Sequence, residues 1–339
     1  MHQQINPNLN LATYIGIDAH PSEHTALAMN RFEEEKGKLR FDNTRAGIAQ
    51  FLSWLGTVDT EINNVIIGIE GGTSTRHALV SQLVAAYPNV YEVNPLYTRQ
   101  RRVFGTKGVK SDPVDAKLIA GVLTRNIQDL SKISTRQLAP SMHCLQKTVG
   151  FYEEIAAHGT RLKNQLHQLK REHDLGTDRD EKHVLGLIIK SKTTELKNMQ
   201  KQQKLLETQL LKLLEGQGKN LPTFPGIGTI SAAKIVAYTG GIERFPTIDK
   251  FLSYAGIAPV ERSSGRSKRH IQNMRGNRNL NSALYMVALN QLTHNPKAKV
   301  YFEKKVNEGK TKKHALRCVM KRTACFIYGM LKSGEAYRG

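Results

Sequence analysis

Four carboxylates, Asp18, Glu70, Asp112 and Asp115, have the types and spacing of a divalent-cation site. Asp18 closes the apolar run Tyr14-Ile15-Gly16-Ile17-Asp18, and Glu70 closes Val65-Ile66-Ile67-Gly68-Ile69-Glu70. Acids directly after buried apolar strands are poor core residues, because an ionised carboxylate is costly to bury without a partner. Asp112 and Asp115 open a helix in Ser111-Asp112-Pro113-Val114-Asp115 and, three apart, project from one face. Mg²⁺ takes oxygen ligands and keeps several waters. Two such ions about 3.5–4 Å apart can stabilise the attacking and leaving oxygens of an in-line phosphodiester displacement. The competing reading of the second pair is structural: with Pro113 at the first helical position, Asp112 is an N-cap and Asp115 a first-turn acid.

Two further segments carry chemistry. Pro225-Gly226-Ile227-Gly228 precedes the small-residue helix predicted from Ser231. A Gly-x-Gly turn opening a helix exposes backbone N–H groups at the positive end of the dipole, so Gly226 and Gly228 can grip a phosphate without reading a base. The alternative is a tight turn between helices. Farther on, Arg262, Arg266, Lys268, Arg269, Arg275 and Arg278 crowd around Ser263 and Ser264. Such a charge run is usually a solvated face. A serine embedded in one can also attack a phosphate that the guanidinium groups hold.

The elements that must position these residues are legible in outline. Strands are expected at 13–18, 24–30 and 37–42, with a polar turn around 33–36. A helix over 46–55, a doubly buried strand at 65–69, a helix over 75–86, a strand at 89–93 and a helix over 113–123 follow. The basic stretch 99–110 reads as a loop or broken helix. Three strands able to form an antiparallel meander before parallel βα units is the order of the ribonuclease H-like fold. In it the first and fourth strands are neighbours, which sets Asp18 beside Glu70 at one sheet edge. The middle third is helical. Leu196, Met199, Gln203, Leu206, Leu210 and Leu213 step by three and four, an a/d seam. That seam suits a dimerising coiled-coil arm or a helical hairpin satisfied within its own chain. The rest is mostly helical, interrupted by a basic loop at 261–278. The expected domains are 1–130, an α/β ribonuclease H-like catalytic domain; 131–220, a coiled-coil dimerisation arm; and 221–339, a mainly α basic domain with a helix-hairpin-helix-like element.

Charge is distributed to match. The chain has a formal net charge of +21. Residues 1–130 are neutral in sum, 131–220 carry +6 and 221–339 carry +15, as expected for a polyanion-binding module beside a neutral catalytic one. The three cysteines, Cys144, Cys318 and Cys325, have no metal-ligand spacing, and a reduced cytoplasmic chain fits their odd number. No apolar stretch approaches the roughly 20 residues of a membrane span, and residues 1–11 lack the pattern of a signal peptide.

Together these residues resemble the DEDD transposases of the insertion-sequence one-ten family, RNA-guided serine recombinases. The resemblance covers almost the whole chain: Tyr14–Asp18, Ile69-Glu70 with Gly72-Thr73, Asn94-Pro95, Lys110–Ala116, Pro225–Gly228, Ala255-Gly256 with Pro259, Ser264-Gly265, Gly276-Asn277 with Leu284-Tyr285, and Tyr328–Gly334. It implies a RuvC-like domain in which the four acids bind Mg²⁺, and a serine, Ser264 by position, that becomes covalently joined to DNA. It also implies a structured noncoding guide (bridge) RNA pairing with donor and target DNA, and a homodimer or homotetramer in which protomers share a composite site. Ser263 is the alternative nucleophile. A hydrolytic junction-resolving nuclease and a non-catalytic nucleic-acid-binding protein are the competing functions.

Overall fold

A computed structural model describes residues 9–70, 77–105, 111–258, 260–264, 267–271 and 276–338. Two compact units divide the chain, residues 1–139 and 140–339.

The first unit is built on a mixed sheet. Its strands are β1 (Thr13–Ala19), β2 (Glu23–Met29), β3 (Glu35–Asp42), β4 (Val65–Glu70), β5 (Val90–Val93) and the two-residue β6 (Ser131–Lys132), in the spatial order β3-β2-β1-β4-β5-β6. β1, β2 and β3 form the expected antiparallel meander, whereas β1, β4 and β5 run parallel. This arrangement is consistent with the ribonuclease H-like order.

Among the described residues four α-helices complete the unit: α1 (Arg45–Val58), α2 (His77–Ala86), α3 (Pro95–Gly105) and α4 (Asp112–Asn126). Strand alternation sorts the core into two layers. Ile15, Ile17, Ile67 and Ile69 face one way, packing with Phe51 and Leu55 of α1 and Leu79 and Leu83 of α2. Tyr14 and Ile66 face the other way, into a second cluster with Ala116, Ile119, Ala120 and Leu123 of α4.

Of the two readings of 99–110, loop or broken helix, residues 99–105 take the helical one as the end of α3; residues 106–110 lie outside the described residues. Asn94 Oδ1 accepts from the Leu96 N–H at 2.9 Å with Pro95 as the first helical residue, a capping arrangement that starts the helix. The N-cap of α4 is Ser111, not Asp112, so Asp112 is the first helical residue.

The second unit begins with two 36-residue helices, α5 (Pro140–Leu175) and α6 (Arg179–Leu214). Part of the α6 seam faces α5 of the same chain: Leu196, Met199 and Leu206 pack with Ile155 and Leu162. The hairpin's base is tied down by Glu153, which pairs with Lys234 at 2.9 Å and accepts from the Tyr238 hydroxyl.

The remainder holds α7 (Thr229–Thr239), α8 (Ile248–Tyr254), β7 (Val260–Ser264), β8 (Ser267–Ile271), α9 (Arg278–His294), α10 (Pro296–Asn307) and α11 (Lys312–Ser333). The basic loop expected at 261–278 instead contains the antiparallel ribbon β7–β8. No helix among the described residues is long and apolar enough to cross a membrane.

Candidate active site

The two acidic strand ends are brought level by register. Tyr14 pairs with Ile66, Gly16 with Gly68 and Ile17 with Ile69, so Asp18 and Glu70 follow side by side on adjacent parallel strands. Both have the parity of the residues that face α4, so period-two alternation directs them to the side on which Asp112 and Asp115 lie.

A missing side chain sets the depth of α4. A Cβ on Gly16 would lie 2.0 Å from the carbonyl oxygen of Ala116 and 2.4 Å from the amide nitrogen of Ala120. Only glycine lets the helix lie this close to β1, and Asp112 sits one turn before Ala116 on the same helix face.

The electrostatics follow from this approach. Burial, then the negative charges of Asp115, Asp112 and Glu70, push the Asp18 carboxyl up to about 6; His20 opposes them. The other three acids therefore all act on Asp18. Each of the other three also has a neutralising or hydrogen-bonding partner. Thr98 Oγ1 donates to Glu70 Oε1 at 2.7 Å. Arg102 pairs with Asp115, which is only 8% exposed. Arg40 reaches Asp112 at 3.3 Å and Glu23 at 2.7 Å. Among the described residues no group of three or more His, Cys, Asp or Glu is gathered tightly enough to hold an ion. The donor set nevertheless suits a hard cation: four oxygen-bearing acids, excess negative charge at Asp18, and guanidinium groups on two of the acids.

Thr98 and Arg102 stand one turn apart on α3 and serve two different acids. Their helix is fixed by Arg101, whose Nη1 donates to the Gly121 carbonyl at 2.6 Å and whose Nη2 bonds the two Glu33 oxygens at 2.8 and 3.0 Å. Arg125 adds a contact to Glu33 at 3.1 Å, and the guanidinium groups hold that carboxyl below its ordinary range against the opposing effect of burial. Sequence reading missed Thr98, Arg102 and Arg40. The Asn94-Pro95 start signal followed by Thr98 and Arg102 at helical spacing was the available clue to the first two.

In the second unit Gly226 adopts φ +82° and Gly228 is the N-cap of α7, without a side-chain cap. The turn therefore presents a helix start, as its sequence suggested. In the ribbon, Arg262 lies opposite Arg269, Ser263 opposite Lys268 and Ser264 opposite Ser267. By alternation the positions of Arg262, Ser264, Ser267 and Arg269 share one face. The side chains at 260–271, and all of Arg266 and Arg275, lie outside the described residues. Arg278 opens α9 and is exposed.

The ribbon's base is closely packed. Asn277 N–H donates to the Tyr254 carbonyl at 2.6 Å, and Asn281 Nδ2 donates to the Ala255 carbonyl at 2.7 Å. A Cβ on Gly276 would lie 2.3 Å from the Gly256 nitrogen. The segments Ala255-Gly256 and Gly276-Asn277, 20 residues apart, thus meet where the ribbon begins.

Two family models match this chain. One, described as a transposase of the DEDD, IS110 type, matches residues 15–172, and one described as the transposase IS116/IS110/IS902 family matches residues 218–303. The chain belongs to the IS110 family of transposases. The first match of this family member contains all four acids; the second contains the Gly-x-Gly turn and the serine ribbon. A protein of insertion element IS110 from Streptomyces coelicolor is 31% identical over 45% of this chain and 39% of its own length. One of insertion element IS900 from Mycobacterium paratuberculosis is 32% identical over 34% and 29%. The alignments thus span well under half of these relatives. The pilin gene-inverting protein of Moraxella bovis is 23% identical over 96% of this chain and 97% of its own length.

Proposed function

We propose that this protein is a DNA transposase or recombinase of an insertion sequence, in which Ser264 is the nucleophile and the four acids hold Mg²⁺. The observation that carries the reading is the approach of Asp115, Asp112 and Glu70 to a half-buried Asp18, whose carboxyl is pushed up to about 6 by burial and then by those three charges. The family's Moraxella relative is named for inverting a gene segment, an outcome that requires strand exchange.

Ser264 Oγ gives up its proton and forms a bond to phosphorus as the bond to the leaving 3′ oxygen breaks and that oxygen takes up a proton, giving a phosphoserine–DNA linkage and a 3′ hydroxyl; religation reverses both after exchange. Arg262 and Arg269 share the Ser264 face by register, so guanidinium groups there can hold the nonbridging oxygens and stabilise developing charge. The Ser263 position lies on the opposite face of the ribbon with that of Lys268, and the arginine positions beside Ser264 favour it as nucleophile. Asp18, Glu70, Asp112 and Asp115 would ligate the cation, and Thr98 fixes the carboxylate of Glu70 for that task. Mg²⁺, when bound, would stabilise the negative charge of the transition state and leaving oxygen. A structured noncoding RNA encoded beside the gene pairs with donor and target DNA and supplies the sequence choice. The α5–α6 hairpin mediates assembly into dimers or tetramers in the nucleoid.

The test is to incubate purified protein with Mg²⁺, donor and target DNA and RNA transcribed from the flanking region, then denature and look for covalent protein–DNA adduct. Wild type and Ser263→Ala should form it, and Ser264→Ala and Asp18→Asn should not. Adduct from Ser264→Ala but not Ser263→Ala reassigns the nucleophile. Cleavage to 5′-phosphate and 3′-hydroxyl ends with no adduct makes the protein a hydrolytic nuclease.

A further inference from the structure

The second unit contains a cleft that the chemistry above does not use. It lies between α9, α10, α11 and Tyr337, opens to solvent and has a cavity volume of about 60 Å³. Its walls are aromatic: Tyr301, Phe326 and Tyr337, the last two 5.7 Å apart edge to face. Phe326 is 38% exposed. The Arg322 guanidinium lies 5.2 Å from the Tyr301 ring centre and 6.0 Å from that of Phe326. Lys297 adds a second cation at the rim. Gln291, 1% exposed, also lines the cleft. Its Oε1 accepts from Asn295 Nδ2 at 2.8 Å, but its Nε2 is buried with no hydrogen-bond partner.

A buried amide donor left unmatched is destabilising, so its place beside a cleft calls for an acceptor. We propose that this cleft binds one unpaired nucleobase of a single-stranded nucleic acid. The rings stack on its π-face, the Gln291 amide turns out from its buried position to donate to a carbonyl or ring nitrogen on its edge, and Arg322 and Lys297 take the flanking phosphates. A duplex keeps its bases paired and stacked and presents none to such a cleft. An acidic peptide would satisfy the cations and the amide but leave the aromatic walls without a flat partner. The Gly-x-Gly turn is adjacent: a Cβ on Gly226 would lie 3.2 Å from Gln291 Nε2, and Asn290 Nδ2 donates to the Gly226 carbonyl at 3.2 Å. A backbone grip and a base cleft thus adjoin along α9.

This inference rests on the reading that the protein handles nucleic acid, and the test separates the two. Fluorescence anisotropy on the full chain would compare a short single-stranded RNA, the same strand carrying abasic sites, and duplex DNA. The intact strand should bind about five- to a hundredfold more tightly than the abasic one, the range for one stacked base. Phe326→Ala and Tyr301→Ala, each verified as folded by circular dichroism, should erase that difference and leave duplex affinity unchanged. The proposal is overturned if wild type binds both single strands equally, or if the variants weaken both strands alike. It is also overturned if both folded variants keep the full difference. Failure of wild type to bind any of the three probes would instead sink the functional reading itself.

Discussion

The approach of α4 to β1 can be tested by adding one methyl group. In Gly16→Ala the new carbon would sit 2.0 Å from a backbone oxygen that needs about 3.4 Å, and 2.4 Å from a backbone nitrogen. Neither obstacle is a side chain that can turn aside, so the helix must lift by about 1.4 Å or the strand must bend. A radial gap of 0.5–1 Å already forfeits about a quarter to a half of each dispersion contact. The contacts at risk join Ala116, Ile119, Ala120 and Leu123 to Tyr14 and Ile66. Overpacking ordinarily costs about 1–3 kcal/mol, and two backbone clashes place this variant at about 3 kcal/mol. Amide exchange by mass spectrometry should therefore quicken about a hundredfold in β1 and α4. The same displacement draws Asp112 and Asp115 away from Asp18, so the Asp18 pKa, followed by NMR, should fall toward the ordinary carboxylate range. Exchange unchanged within about twofold, with the Asp18 pKa still near 6, would refute the claim that this glycine sets the site's depth.

Three other outcomes follow from the same geometry. Asp18 takes up protons more readily folded than unfolded, so its contribution favours the native state at low pH and is lost as pH rises from about 4 through 6. Asp18→Asn should accordingly stabilise the metal-free protein at pH 7 to 8, by about 1 kcal/mol after allowing for solvent screening, and abolish any thermal stabilisation by Mg²⁺; differential scanning fluorimetry reads both. Arg102→Gln leaves Asp115 buried without its guanidinium and should cost about 2–4 kcal/mol. Millimolar Mg²⁺ should recover part of that loss in thermal melts, and no recovery would mean that Arg102 does not occupy the place of a cation. Gly276→Ala, colliding with the Gly256 backbone, should leave the first unit's exchange pattern intact while raising protease cleavage within 260–271.

The sheet and α4 were legible because their residues are sorted by burial. Val65–Ile69 is continuously apolar and Tyr14–Ile17 nearly so, which is how strands covered on both faces read. Helix α3 was not legible as a whole, because its inner side works through Thr98, Arg101 and Arg102 rather than an apolar stripe, and hydrophobic periodicity does not register a face built from hydrogen bonds. The ribbon β7–β8 failed for a related reason: Val-Glu-Arg-Ser-Ser and Ser-Lys-Arg-His-Ile lack the composition of strands, and the packing of Gly276 on Gly256 at the base comes from residues outside them. Periodicity names a face and not its partner: of the α6 seam, Leu196, Met199 and Leu206 find α5 of the same chain. Among the acids, the strand positions fixed Asp18 and Glu70 at one edge. The partners that Asp115, Glu70 and Asp112 find on α3 and β3 lie 13 to 72 residues away, beyond what local spacing can carry.

The strand at one end of the sheet has a consequence for how copies of this protein can join. β3 reads Glu35-Lys36-Gly37-Lys38-Leu39-Arg40-Phe41-Asp42, with Glu35, Lys36, Lys38, Arg40 and Asp42 exposed. At the opposite end β6 offers two residues. A charged margin and a truncated one both discourage a foreign strand from adding its own backbone ladder. The sheet is thus insulated against growing into a continuous one across protomers, even at the high local concentration that assembly on one nucleic acid would impose. Association is left to helical surfaces, which can part again without unravelling a strand.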